Sequence, residues 1–181
     1  NADFTMSGTA GSITGEGIKF LNVFGNGTTT TAAVLDVLGD ITVNTGKSFT
    51  ATGGVINMSG ANKKIINNGS LQFYSLRALS AITTASNFNV SNNLSGTGQL
   101  AASAGTITFN GTSTFGGAHN LHNVTVLNGQ VLTLNSNSNL GIANVLGITG
   151  TINVNVNTPN TITFNRDIID EVQTVPSRDY F

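Results

Sequence analysis

Apolar and small polar residues alternate with a period of two in short runs along most of the chain. Such runs include DITVNT at 40–45, TITFNG at 106–111 and TITFN at 161–165. This alternation is typical of a strand with one buried face, because successive side chains point to opposite sides. Asn-Gly pairs at 68–69 and 128–129 separate runs, and both residues tolerate positive φ. The pattern predicts an all-β protein of many short strands and tight turns.

A four-residue motif recurs three times in the same order relative to the strands around it. The three copies begin at Phe20, Phe73 and Leu121, roughly 50 residues apart, and each is followed by a glycine-led strand. Without helical crossovers, a repeat of this length predicts two coils of about 25 residues in a β-solenoid of about six to seven coils. The alternative is an antiparallel β-sandwich or jelly roll, which needs hairpins at regular spacing.

The composition changes after the last predicted strand, so we divide the chain into a solenoid over 1–164 and a tail over 165–181. The tail holds six of the fifteen charged residues. Its apolar residues Ile168, Ile169 and Val172 follow helical spacing. This segment is interpreted as a cap on the solenoid or as a clasp for another subunit.

Charge is scarce throughout the solenoid. Charged residues make up 8% of the chain and the net charge is −1, whereas an ordinary soluble domain is about 25% charged. The longest cationic run is Lys63-Lys64, so the sequence predicts no nucleic-acid partner. No apolar stretch is long enough for a membrane-spanning helix. Cysteine is absent, and no motif indicates a cofactor.

Segments such as LDVLGDITVNTG at 35–46 and LHNVTVLNGQVLTLNSN at 121–137 resemble the Asn/Thr/Gly-rich β-solenoid repeats of large bacterial surface and adhesin-like proteins. The resemblance covers about residues 3–164. It implies a right-handed parallel β-helix, an extracellular or cell-surface location and a structural or adhesive role. Proteins of this kind are usually far longer, which implies a small subunit or an excised segment. The repeats share no catalytic residues, so none are assigned.

Two pairs of residues are the candidates for catalysis or metal binding. Asp36 and Asp40 bracket apolar residues and would suit a glycosidase if held about 5–9 Å apart. We interpret them as turn aspartates and predict that the chain is not an enzyme; a polysaccharide-active enzyme is the third alternative. His119 and His122 have no Cys or carboxylate near them in sequence to complete a metal shell, so we predict no metal site.

Thr-x-Thr recurs at 50–52, 106–108 and 149–151. A flat array of threonines orders water only if one pair per coil is aligned. Measured from the three repeat anchors, these motifs fall at unequal distances. We therefore attribute them to the high β-propensity of threonine.

A solenoid has open ends with unpaired backbone groups, which repeat proteins normally cover with caps. Strand character begins by Phe4 without a recognisable cap before it. We therefore predict a secreted structural subunit that stacks head to tail with copies of itself. The candidate subunit contacts are Phe4, Met6, Ile168, Ile169, Val172, Tyr180 and Phe181. The alternative is an adhesin segment that binds glycans, with Tyr74 or the Phe115 loop stacking on a sugar.

Overall fold

The computed structural model describes residues 3–6, 11–13, 18–25, 28–31, 33–154 and 159–164. These residues form twenty-one strands and no helix. The strands pair in parallel and stack as a β-solenoid of about seven turns. The predicted all-β solenoid is confirmed, and the antiparallel sandwich is wrong. In the part of the chain that the structure describes, no helix is long and apolar enough to span a membrane.

The coil has three faces, and each face is a ladder of parallel strands. Face 1 contains β1 (Phe4–Met6), β4 (Val23–Gly25), β7 (Ile41–Val43), β10 (Lys63–Asn67), β12 (Ile82–Thr84), β14 (Leu100–Ala102), the first halves of β17 (Ala118–Val126) and β19 (Asn139–Ile148), and β21 (Thr161–Phe164).

Face 2 follows face 1 in each turn. It contains β2 (Gly11–Ile13), β5 (Thr28–Thr31), β8 (Ser48–Ala51), the first halves of β11 (Ser70–Ala78) and β13 (Phe88–Ser95), β15 (Thr106–Phe109), and the second halves of β17 and β19.

Face 3 closes the turn. It contains β3 (Ile18–Phe20), β6 (Val34–Val37), β9 (Val55–Met58), the second halves of β11 and β13, β16 (Ser113–Phe115), β18 (Val131–Leu134) and β20 (Thr151–Val154).

Four long strands bend from one face to the next, and their pairing shifts at the corner. The shift between β11 and β13 falls at Tyr74, which lies between the paired residues Phe73 and Ser75. The shift between β17 and β19 falls at His122. A strand that opposes one residue with two bends and twists locally, so these irregularities allow the continuous strands to turn the corner.

The coil length varies, and it differs from the repeat seen in the sequence. Val23 pairs with Ile41 and Ile41 pairs with Ile65, so the second of these two coils is longer than the first. The three sequence anchors lie on three different faces, with Phe20 on face 3, Phe73 on face 2 and Leu121 on face 1. The recurrence in the sequence therefore does not mark equivalent positions of the solenoid.

Inward-facing side chains form columns of aliphatic and aromatic residues along the axis. On face 3 one column runs through Leu76, Leu94, Phe115 and Leu134, all 0% exposed. Burying such side chains is worth about 1.5–3 kcal/mol each. The alternation that the sequence predicts thus places the apolar set inside and most Thr, Asn and Ser residues outside, with exceptions such as Thr31, Thr84 and Ser113, which are buried.

Candidate functional site

The apolar columns are covered in the middle of the solenoid and partly exposed at its two ends. Seven apolar residues pack against the core while remaining partly exposed, and all of them lie in the first or the last described coil: Phe4, Ile18, Phe20, Leu146, Ile152, Ile162 and Phe164. Val154 of the last coil is 43% exposed. Each end of the described coils therefore presents an apolar surface framed by strand edges.

Two inward columns join the two end surfaces. Ladder pairing places Phe4 and Phe164 in one column of face 1. On face 3, Ile18 and Val154 begin and end one column. Each of these two columns starts and finishes with an apolar residue, so a coil continued from one end to the other keeps both columns apolar at the junction.

Among the predicted subunit contacts, the structure places Phe4 at an end. Phe4 stacks on Phe20, with ring centroids 4.5 Å apart. The backbone of Met6 lies in β1 and pairs with Gly25. The other predicted contacts lie outside the described residues: Ile168, Ile169, Val172, Tyr180 and Phe181.

The two candidate carboxylates serve separate links between coils. Asp36 lies in β6 on face 3, and its Oδ1 accepts a hydrogen bond from Nδ2 of Asn57 at 2.7 Å. Asp40 directly precedes β7, and its Oδ1 accepts the backbone N–H of Lys64 at 2.8 Å. Their oxygens hold neighbouring coils together, which is a structural role.

His119 is 1% exposed and fills a position that leucine occupies in the adjacent coils of the same column. Its Nδ1 accepts the backbone N–H of Leu100 at 3.1 Å, and its Nε2 lies 3.1 Å from the carbonyl oxygen of Gly116. The first bond requires an unprotonated Nδ1, so the ring is neutral with its proton on Nε2. Burial lowers the pKa of His119 from its ordinary value, against a smaller opposing effect of the Gly116 carbonyl.

His119 and His122 lie in different environments, although both belong to β17. His119 points into the core, while His122 is half-buried at the corner between faces 1 and 2. Within the described ranges, no group of three or more His, Cys, Asp or Glu side chains is placed to hold a metal ion.

Face 2 carries a feature that the sequence did not reveal. Two adjacent outward columns consist of hydroxyl and amide side chains over five successive coils, which we call the polar ladder. Its members are Ser48, Thr50, Ser70, Gln72, Asn87, Asn89, Thr106, Thr108, Asn123 and Thr125. All ten are half-buried or exposed. The described strand segments of face 2 carry no charged residue.

Two of the Thr-x-Thr motifs, at 50–52 and 106–108, contribute residues to the polar ladder. Thr50 and Thr108 occupy the same column, and Thr106 continues the column of Ser48. The two motifs are thus offset by two residues, and Gln72 and Asn89 lie between Thr50 and Thr108 in their column, so the motifs are unaligned as expected.

One column of the ladder has no internal hydrogen-bond partners. Its five side chains make no hydrogen bond to any other described residue: Thr50, Gln72, Asn89, Thr108 and Thr125. Similar side chains on face 3 do pair between coils, as when Thr114 Oγ1 donates to Asn93 Oδ1 at 3.0 Å. The donors and acceptors of this column are therefore directed to solvent.

The two aromatic residues predicted to stack on a sugar differ in their exposure. Tyr74 is 36% exposed at the corner between faces 2 and 3, two residues after Gln72. Phe115 is 0% exposed in the core, where it contacts the edge of the His119 ring. The prediction is wrong for Phe115, because this residue occupies an inward position of β16. Tyr74 stands at the rim of the polar ladder.

The described residues thus present partly exposed apolar side chains at both ends of the coils and one neutral polar face between them. Comparison of the chain with protein-family models, curated proteins and solved structures finds no match.

Proposed function

We propose that this chain is an extracellular structural protein, a subunit or segment of a surface filament whose coils continue head to tail into those of another copy. The observation that carries the proposal is the position of the partly exposed core residues. All seven lie in the first or last described coil. Between these coils, the side walls bury the inward columns.

The pairing between neighbouring coils supplies the geometry of the proposed junction. Within the chain, each coil adds backbone hydrogen bonds and apolar columns to the previous one. A second copy continuing this register brings Phe164 of one copy against Phe4 of the next, and Val154 against Ile18. The contact is directional, because parallel strands have distinct edges and only opposite ends match.

The neutral exterior agrees with a role outside the cell. With 8% charged residues, the protein has few groups whose interactions depend on the salt concentration or pH of the surroundings. Labelling of intact producing cells with a non-permeant reagent tests the location. Labelling only after lysis contradicts it.

Assembly is tested on the full chain by negative-stain microscopy and light scattering over a range of concentrations. We expect filaments for the unmodified protein, and their loss in both Phe4→Asp and Phe164→Asp. Leu127→Asp is the control, because Leu127 is 41% exposed on the side of the solenoid. This variant should assemble normally.

Mixing the two end variants gives a sharper result. Phe4→Asp keeps one intact end and Phe164→Asp keeps the other, so an equal mixture should form dimers that grow no further. Each variant alone stays monomeric. Monomers of the unmodified chain at high concentration, or filaments that tolerate both substitutions, would overturn the proposal.

A further inference from the structure

We propose that the polar ladder of face 2 is a binding surface for a neutral polysaccharide lying along the solenoid axis. The inference concerns the side wall, so it is independent of the contacts at the ends. It rests on three features of face 2: the alignment of its polar side chains, the absence of charge from its described strand segments, and the exposed aromatic ring at its rim.

The alignment of the polar side chains along face 2 repeats one hydroxyl or amide group at each coil. The unpaired column places one hydroxyl or amide group on each of five successive coils, from Thr50 to Thr125. Strands of a sheet lie about 4.8 Å apart, so the column extends for about 19 Å. An extended polymer with hydroxyl groups at regular intervals contacts such a row many times, and weak contacts add along its length.

Availability distinguishes this column from the polar residues whose side chains bond neighbouring coils. Asn57 and Thr114 use their side chains to bond neighbouring coils. Thr108 and Thr125 make no such bond with the described residues. Their hydroxyl groups both donate and accept hydrogen bonds, as the hydroxyl groups of sugars require.

Charge favours a neutral ligand. The described strand segments of face 2 hold no Asp, Glu, Lys or Arg, while Asp36 and Arg77 lie on face 3. These strand segments therefore offer no cation to pair with an acidic polymer or a nucleic acid, and exposed Lys47 stands only before the start of the first ladder strand. Amide and hydroxyl groups are the polar partners that remain.

The rim favours a carbohydrate over ordered water. Tyr74, 36% exposed, lies within β11 at the corner of the coil, and Leu127, 41% exposed, directly follows β17. An exposed aromatic ring presents an apolar face with a polar tip, which suits the C–H face of a sugar ring. The ladder also changes from coil to coil, from Ser48 and Thr50 to Asn87 and Asn89. An ordered water lattice requires identical groups at each step.

Binding is measured by calorimetry on the monomeric Phe4→Asp variant, whose substitution lies at an end of the solenoid and leaves face 2 unchanged. All further substitutions are made in this background. The ligands are mixed-linkage β-glucan, galactomannan and amylose, with alginate as an anionic comparison. We expect at least one neutral polymer to bind and alginate not to bind. Affinity should rise with ligand length until the polymer spans the ladder.

The double variant Thr108→Val/Thr125→Val removes two hydroxyl groups and keeps the β-branched shape. Its affinity should fall about tenfold, because each lost hydrogen bond weakens binding by a few-fold. Thr133→Val is the matched control, since Thr133 is half-buried and points outward on face 3. Tyr74→Ala should also weaken binding, with Leu79→Ala, 38% exposed, as its control.

Circular dichroism and thermal melting establish that the variants are folded. The proposal is overturned if none of the neutral polymers binds, if the double variant binds like the unmodified chain, or if Thr133→Val loses as much affinity. Ice-crystal shaping without polysaccharide binding would also overturn it, in favour of ordered water. Filament formation is scored separately by microscopy, so failure at the ends and failure on face 2 give different results.

Discussion

The backbone N–H of Leu100 donates a hydrogen bond to Nδ1 of the buried His119, one coil further on, at 3.1 Å. The bond joins two coils inside the core and requires that Nδ1 carry no proton. Because burial lowers the pKa of His119, the neutral ring is the form that the folded state stabilises.

This bond predicts an acid-sensitive fold. An unfolded histidine binds a proton below its ordinary pKa of 6.5, while folded His119 does not until a lower pH. The contribution of His119 is therefore complete above pH 6.5 and is lost as the pH falls through the window below it. Urea unfolding at pH 7.5 and pH 5 measures the difference in the free energy of unfolding.

His119→Leu separates this effect from the titration of other groups. Leucine suits the column, since Leu100 and Leu140 occupy its neighbouring positions, but it leaves the Leu100 N–H unpaired at a cost of about 1–3 kcal/mol. The variant should be less stable at pH 7.5 and less sensitive to acid. His122→Asn is the control and should keep the acid sensitivity of the unmodified chain.

Gly96 lies where the backbones of two coils approach closely. Its φ is 145°, which side chains rarely adopt, and an added Cβ would overlap the carbonyl oxygen of Ala78. Gly96→Ala should therefore destabilise the fold by more than the ~1 kcal/mol of an ordinary positive-φ glycine, as measured by denaturant unfolding.

Gly129 is the matched control for Gly96. Its φ is 73°, and an added Cβ has no neighbour within 4 Å. Gly129→Ala should show the conformational cost alone. Equal losses of stability in the two variants would mean that close packing between coils contributes nothing at Gly96.

The aromatic columns should be the most sensitive part of the core. Phe109 is 0% exposed on face 2, between Val90 and Val126 of the adjacent coils. Phe109→Ala leaves a cavity and should cost about 3–5 kcal/mol. Leu127→Ala, on an exposed side chain nearby, should stay within about 0.5 kcal/mol. Chemical denaturation of both variants tests the comparison.

A chain of polar contacts at one corner should also contribute to stability. The Oδ1 atom of Asn22 accepts the backbone N–H of Asp40 at 2.8 Å. The Nδ2 atom of Asn22 donates to Asp3 Oδ1 at 2.8 Å. Asn22→Ala removes both bonds between coils and should cost about 1–3 kcal/mol. Asn128→Ala, at an exposed turn, is the control. Denaturant unfolding of the two variants makes the comparison, and a stable Asn22→Ala would show that water replaces these bonds without loss.

Predictions of strands from the sequence were more accurate than predictions of surface sites. The predicted strands at 40–45, 106–111 and 161–165 contain β7, β15 and β21, because alternation is a local property. Phe4 lies in the first described strand and is partly exposed, and its role as a subunit contact stays a prediction, whereas Phe115 is buried instead of exposed. The polar ladder was missed because its residues are separated by coils of unequal length.

By itself, the sequence determined that the chain forms short strands with an apolar inner side and a neutral, hydroxyl- and amide-rich outer side. Only the tertiary structure decided which residues share a column. The coil that joins Ile41 to Ile65 is longer than the one that joins Val23 to Ile41, and the corners at Tyr74 and His122 shift the register. Each such change moves all later residues relative to the axis, so local periodicity cannot say which side chains meet between coils.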